Sequence, residues 1–337
     1  VNKILNLPEQ DFIDLVAETA RRMGIQPGLV EKDIWVCTVL ERLFSFSALK
    51  EHLIFKGGTS LSKVYKLINR FSEDVDLIID WRLLGYGTDK ESDPRVPKKS
   101  NTQQDKFNKQ INATAGEYIT NHFVPLLVDL FSDISGVDIH VSVADSQAVE
   151  VYYPSHFSLS YIKNRVLLEI GPLASWVPWE KASIKPFVAE AFPNLFQDTH
   201  IEIRSTTAER SFWEKATILH QEAHRVNNFP VRYSRHYYDL SQMCRSRVKA
   251  SALDQPDLLH NVVRFKRQFY PCKWANYEFA VPGSLQLIPP ETRLLQLEKD
   301  YNDMKVMIFK DIPTWVKILQ IIQSLEDEIN NKGPKND

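Results

Sequence analysis

Residues 55–80, FKGGTSLSKVYKLINRFSEDVDLIID, limit the fold more than any other stretch. The end of this stretch alternates. Side chains on a strand point to opposite faces in turn, so Asp74 and Asp76 share one face while Val75, Leu77 and Ile79 make the other face apolar. Two carboxylates held together repel unless a cation lies between them, and a hard divalent ion with oxygen ligands, Mg²⁺ or Mn²⁺, suits such a donor set. Ahead of the acids, Leu61, Val64, Tyr65 and Ile68 recur at helical spacing, with Thr59, Lys63, Lys66 and Arg70 on a second stripe. A helix running to about residue 70 is expected. Gly57 and Gly58 at its start let the backbone come close to a ligand, Thr59 or Ser60 can cap it, and its unpaired N–H groups favour an anion. Taken separately, Gly-Gly is an ordinary turn and Asp-x-Asp a solvated edge. In this order they outline a pocket for a nucleoside triphosphate and its metal.

The chain has 337 residues, 43% hydrophobic and 25% charged, which leaves room for two cores. Its net charge of −2 provides no global positive field, so a nucleic-acid partner has to be met by local patches. Cys37, Cys244 and Cys272 are too scattered for a zinc knuckle or a disulfide framework and suit a reducing compartment. No apolar run is long enough to span a bilayer and no leader pattern opens the sequence, so a soluble protein of the cytoplasm without membrane contact is expected.

Periodicity gives two helices from Pro8 to about Phe46, broken at GIQPG, then a polar loop over residues 81–106 and a helix near 105–131. Short β-branched segments follow, VDIHVSV, AVEVYY, RVLLEIG and IEIR. Beyond residue 205 the pattern is helical, ending in a stripe of Trp315, Ile318, Leu319, Ile322 and Leu325 and a frayed tail, NKGPKND. The expected fold class is α+β, with a mixed sheet flanked by helices in residues 1–205 and a helical C-terminal domain in 206–337.

The segments VEKDIWVCTVLERLF, FKGGTSLSKVY, RFSEDVDL and RHYYDL together resemble the AbiEii/AbiGii-type nucleotidyltransferases, toxins of bacterial toxin–antitoxin and phage-defence systems within the polymerase-β-like superfamily. The likeness covers roughly residues 30–240. It implies a polymerase-β-like core with metal on Asp74 and Asp76, and nucleotide contacts from Gly57, Gly58, Thr59, Ser60, Lys63 and Ser72. One departure is the gap between the glycines and Asp74, longer than the general superfamily pattern. The superfamily adds a third carboxylate from a neighbouring strand, for which Glu169 in RVLLEIG is the natural candidate; a solvent-facing glutamate is the alternative.

Two further residues gain a role from this resemblance. Thr206 and Glu209 have capping-box spacing, and the helix they would start places Lys215 beside Phe212 and Leu219. By itself Lys215 is a lysine covering apolar surface; the resemblance implies that it contacts the nucleotide phosphates. Asp239 reads as a helix cap or the partner of Arg235, and the resemblance implies a catalytic aspartate. The implied reaction is transfer of a nucleoside monophosphate from an NTP to an acceptor hydroxyl, with the 3′ end of tRNA or another RNA as acceptor and a cognate antitoxin as partner. RVNNFPVRYSRHYY and RFKRQFYPCKWANY interleave cations and aromatics, as RNA contact requires, although solvated faces have the same composition. Other classes left open are a nucleotidyltransferase with a small-molecule or protein acceptor, a metal-dependent nuclease, and a binding module without turnover.

Overall fold

Among the described residues seven strands build one mixed sheet: β1 (Leu53–Lys56), β2 (Asp74–Ile79), β3 (Asp138–Val141), β4 (Ala148–Tyr152), β5 (Arg165–Gly171), β6 (Trp179–Ile184) and β7 (Ile201–Thr206). The computed structural model describes residues 1–72, 74–158, 163–173, 177–197, 199–226 and 230–332. Most of the tail expected to fray, and residues 227–229 of the first basic and aromatic cluster, lie outside the described residues. The strand order is β3-β4-β5-β2-β1-β7-β6, with β2 parallel to β5, β1 parallel to β7, and the remaining neighbours antiparallel. Sequence patterns missed β1 and β6 for opposite reasons. β1 is a continuous apolar run of only four residues, and β6 is a largely exposed edge strand whose Glu180 and Lys181 hide any alternation.

The apolar faces of these strands meet in one core. Phe55, Val75, Leu77, Ile79, Leu168, Ile170 and Ile203 pack there with Val30, Ile34 and Leu40 of the helix Pro27–Ser45. That helix begins with Pro27 in its first turn, where a missing N–H does no harm, and it is buried without a break from Gly28 to Leu40. Three consecutive charges are buried with it, and each attaches a different segment. Glu31 accepts from the Ser155 hydroxyl at 2.6 Å and from the backbone N–H groups of His156 and Phe157 at 2.8 and 3.2 Å. Lys32 donates to the carbonyl of Lys163. Asp33 accepts from Lys63 Nζ and from the Phe187 N–H, both at 2.6 Å.

The chain divides into two compact units: Val1–Val64 with Phe71–Thr206, and Tyr65–Arg70 with Thr207–Asp337. The helix expected to reach residue 70 spans only Gly57–Lys63. It stops because the chain beyond it hydrogen-bonds elsewhere: Lys66 takes φ +52°, the Asn69 carbonyl accepts from the Phe309 N–H at 2.7 Å, and Arg70 pairs with Ile308. The long gap between the glycines and Asp74 thus holds a segment that belongs to the second unit.

That unit is otherwise helical, with Ala208–Ala223, Ser234–Cys244, Arg247–Leu253, Pro256–Phe269, Glu291–Met304 and Trp315–Asn331 as its main helices. The first of them is capped by Thr207, whose hydroxyl accepts from the Arg210 N–H, and not by Thr206, which ends β7. The last buries Trp315, Ile318, Ile322, Leu325 and Ile329. Among the described residues no helix is long and apolar enough to cross a membrane.

Burial pushes the Asp33 carboxyl up, and Lys63 is held above the usual ammonium value because, although burial pulls it down, Asp33, Cys37 and Glu190 outweigh that effect. A lysine so raised needs an ionised partner, and donors reach both Asp33 oxygens, so the ionised pair is the state the geometry supports. Removing one member of a buried pair leaves the other uncompensated, at about 3–5 kcal/mol. Lys63→Ala is expected to lower the unfolding free energy by that amount in urea titration; a loss under about 1 kcal/mol would show the pair to be dispensable.

Candidate active site

The acid-bearing face of β2 is the one turned away from the core. Asp74 and Asp76 are half-buried on it, while Val75 and Leu77 between and beyond them are fully buried. Register places Lys56 of β1 on one side of Asp76 and Glu169 of β5 on the other, with Leu167 beside Asp74. Registered neighbours share a face, so Lys56, Asp76 and Glu169 form one row across three strands, Glu169 being its exposed end. Lys56 was not anticipated, because the strand that carries it was not.

The chain turns from β1 into the helix Gly57–Lys63 with no intervening loop. Gly57 has φ +80°, and a Cβ there would overlap Asp76 Oδ2 and stand 2.6 Å from its Cγ. The Asp76 carboxylate therefore rests directly on the glycine backbone. Thr59 is buried and donates to the carbonyls of Asp74 and Ser72, which ties the helix to the start of β2. The Ser60 and Ser205 hydroxyls lie 2.7 Å apart, both buried. Lys63 is buried against Asp33, with its ammonium 4.2 Å from the Phe187 ring centre. The side chains of Thr59, Ser60 and Lys63 thus point into the fold. What this corner offers a ligand is the Gly57–Gly58 backbone and the acidic face.

Among the described residues no group of three or more His, Cys, Asp or Glu side chains could hold a metal ion by itself. Mg²⁺ is usually held by one or two carboxylates with substrate phosphates, and seldom by an all-protein cage. Two aspartates roughly 7 Å apart along one strand face fit an ion whose shell the substrate completes.

In the second unit Asp239 is the centre of a buried ion triad. Arg70 grips it with two parallel bonds, Nε to Oδ1 at 2.7 Å and Nη2 to Oδ2 at 2.8 Å, and Lys215 Nζ lies 2.7 Å from Oδ2. The observed partners are Arg70 and Lys215, where the sequence suggested Arg235. Burial alone would raise the Asp239 carboxyl, but the two cations hold it well below the usual range. Burial lowers Lys215, helped by repulsion from Arg70, while Asp239 opposes both. His236 on the same helix is kept neutral by burial, with Lys215 and Arg235 adding to the effect. Arg70 was read from sequence as part of a second helical stripe with Thr59, Lys63 and Lys66. Only the fold turns it inward.

Residues 38–324 match the family described as nucleotidyl transferase AbiEii toxin, type IV TA system. The chain belongs to the AbiEii nucleotidyltransferase toxin family. Among solved structures it is similar to MenT4, a nucleotidyltransferase toxin of Mycobacterium tuberculosis H37Rv, at 15% identity and a TM-score of 0.50, covering 95% of this chain and 90% of that one. A protein of H. pylori assigned as a nucleotidyltransferase aligns at 16% identity and a TM-score of 0.39, over 90% of this chain and 96% of that one. No curated protein sequence matches the chain. The MenT4 likeness supports the nucleotidyltransferase fold, and the family match supports the activity class.

Two outcomes follow for this AbiEii protein. Gly57→Ala forces a Cβ into the Asp76 carboxylate at a backbone angle that L residues rarely adopt, and is expected to destabilise by about 1–3 kcal/mol in thermal or urea unfolding. A wild-type midpoint would show that the corner yields. Asp239→Asn is expected to lower stability at neutral pH through loss of the ionised centre. Because the native carboxyl is depressed, this contribution is present above the unfolded value of about 3.9 and disappears as pH falls below it. The stability gap between wild type and variant should stay constant above pH ~5 and close below ~4; a gap that closes near neutrality would contradict the pairing.

Proposed function

We propose that this AbiEii protein transfers a nucleoside monophosphate from an NTP to the 3′ end of tRNA, in a Mg²⁺-dependent reaction that Mn²⁺ can also support. The observation that carries this reading is the seat of Asp76 on the Gly57 backbone, beside Asp74 on the open face of β2. Asp74 and Asp76 would hold the metal, its remaining positions going to substrate oxygens, with Glu169 next to Asp76 in the same row. A metal there supplies charge neutralisation at the phosphates and alignment of the attacking and leaving oxygens. The Gly57–Gly58 backbone, together with Ser72, binds and orients the triphosphate. The acceptor hydroxyl attacks the α-phosphorus, its proton leaves to a base, the bond to the β-phosphate oxygen breaks, and pyrophosphate departs.

Within this reading Thr59, Ser60 and Lys63 are positioning residues, acting through β2, β7 and Asp33. Lys215 and Asp239, for which the family resemblance implies a phosphate contact and a catalytic role, are held to each other in the triad with Arg70. The type IV assignment supports a cognate antitoxin as the biological partner, and phage defence is the setting that the family resemblance implies.

Asp76→Asn should fold with a near wild-type unfolding midpoint and lose label transfer from α-labelled NTP to tRNA by about a hundredfold or more. EDTA should abolish transfer by the wild type, and excess Mg²⁺ or Mn²⁺ should restore it. Undiminished transfer by Asp76→Asn would remove the site from this face, and transfer that survives chelation would remove the metal.

A further inference from the structure

The helical unit contains a cavity of about 370 Å³ where the end of Ser234–Cys244 and the helix Arg247–Leu253 meet Trp315–Asn331. Three cations, Arg245, Lys249 and Lys317, line it, and among the described residues no lining side chain is acidic. Lys249 has a carboxylate partner, Glu328, at 2.9 Å. Among the described residues Arg245 and Lys317 form no ion pair. In a chain whose net charge is −2 this is a local excess of positive charge around a concavity, which concentrates anions there. The rest of the lining is mixed: Gln320 and Ser324 supply an amide and a hydroxyl, while Ile321 and Leu325 are apolar. Burial pushes the Cys244 thiol up to about 12, so the cavity holds a thiol and not a nucleophilic thiolate.

We propose that this cavity binds a nucleotide unit of the acceptor RNA, the cations taking its phosphates and the side chains of Ile321 and Leu325 its base; the RNA assignment rests on the function proposed above. A bare phosphate would leave most of such a volume empty, whereas small-ligand pockets run from ~300 to 1,000 Å³. Charge, donors and apolar side chains together suit a nucleotide, since phosphate contacts give affinity and a base face can pack against apolar side chains. The cavity is a docking site and takes no part in the chemistry.

The test is fluorescence anisotropy of labelled tRNA with the full chain, without NTP, across a salt series. The paired substitution Arg245→Gln with Lys317→Gln is compared with Lys299→Gln plus Lys310→Gln, which removes the same charge from exposed positions of the same unit. The cavity variant is expected to bind about tenfold more weakly, with a salt slope shallower by about 1.4, roughly 0.7 for each cation lost, while the control stays near wild type. Equal losses in both variants, or none in either, overturn the proposal. Displacement of tRNA by millimolar AMP from the wild type alone supports it; AMP binding at the cavity with tRNA affinity unchanged in the variant reassigns the cavity to free nucleotide and overturns it. Label transfer is scored on the same preparations. Transfer with unaltered RNA affinity in the variant overturns the cavity alone, whereas no transfer by wild type overturns the proposed reaction and leaves the affinity difference as the reading of the cavity.

Discussion

No side chain fits where β1 turns into the helix Gly57–Lys63, because the Asp76 carboxylate already fills that space. This contact joins three demands at one point. The backbone must take φ +80°, the β1–β2 register must set Lys56 opposite Asp76, and the helix must begin at once. Glycine satisfies the first, since it alone adopts such an angle without strain. Once it does, parallel pairing of β2 with β5 carries Glu169 into the same row, and Lys56, Asp76 and Glu169 of this AbiEii nucleotidyltransferase toxin line up across three strands.

Buried charge pairs hold this arrangement and its counterpart in the helical unit. Asp33 fixes Lys63 at the end of the helix that begins at Gly57, and the same carboxylate takes the Phe187 N–H. Arg70, Asp239 and Lys215 do the equivalent for the Tyr65–Arg70 segment and two helices of the second unit. Replacing such a group by well-packed apolar residues is often neutral or stabilising, so its value lies less in net stability than in geometry. A guanidinium with two parallel bonds to a carboxylate permits one orientation, whereas apolar contacts permit several. The motif VEKDIW shows the same economy of placement: Glu31, Lys32 and Asp33 are neighbours on one helix, and each anchors a different piece of chain.

Much of this was legible beforehand. The period-two pattern placed Asp74 and Asp76 on one face, and the acid inside RVLLEIG marked Glu169, because a charge in an apolar strand must face outward or find a partner. Helical stripes marked Ala208–Ala223 and Trp315–Asn331 for the same kind of reason. β1 and β6 were illegible: one is too short and too uniformly apolar to show a period, the other an edge whose polar residues follow solvent and not a core. The stripe through Tyr65 and Ile68 misled because local spacing cannot register that Asn69 and Arg70 pair with residues some 240 positions further along.

By itself the sequence determined which residue types face which way along each strand and helix, because alternation and helical period are properties of neighbouring positions. It also determined that a glycine pair precedes two like charges. The tertiary structure alone decided which strands became neighbours, hence that Lys56 and Glu169 flank Asp76, and which ions became partners, hence that Asp239 meets Arg70 and Lys215. Pairing across long separations depends on register, burial and the competing claims of other segments, and none of these is written in a local pattern.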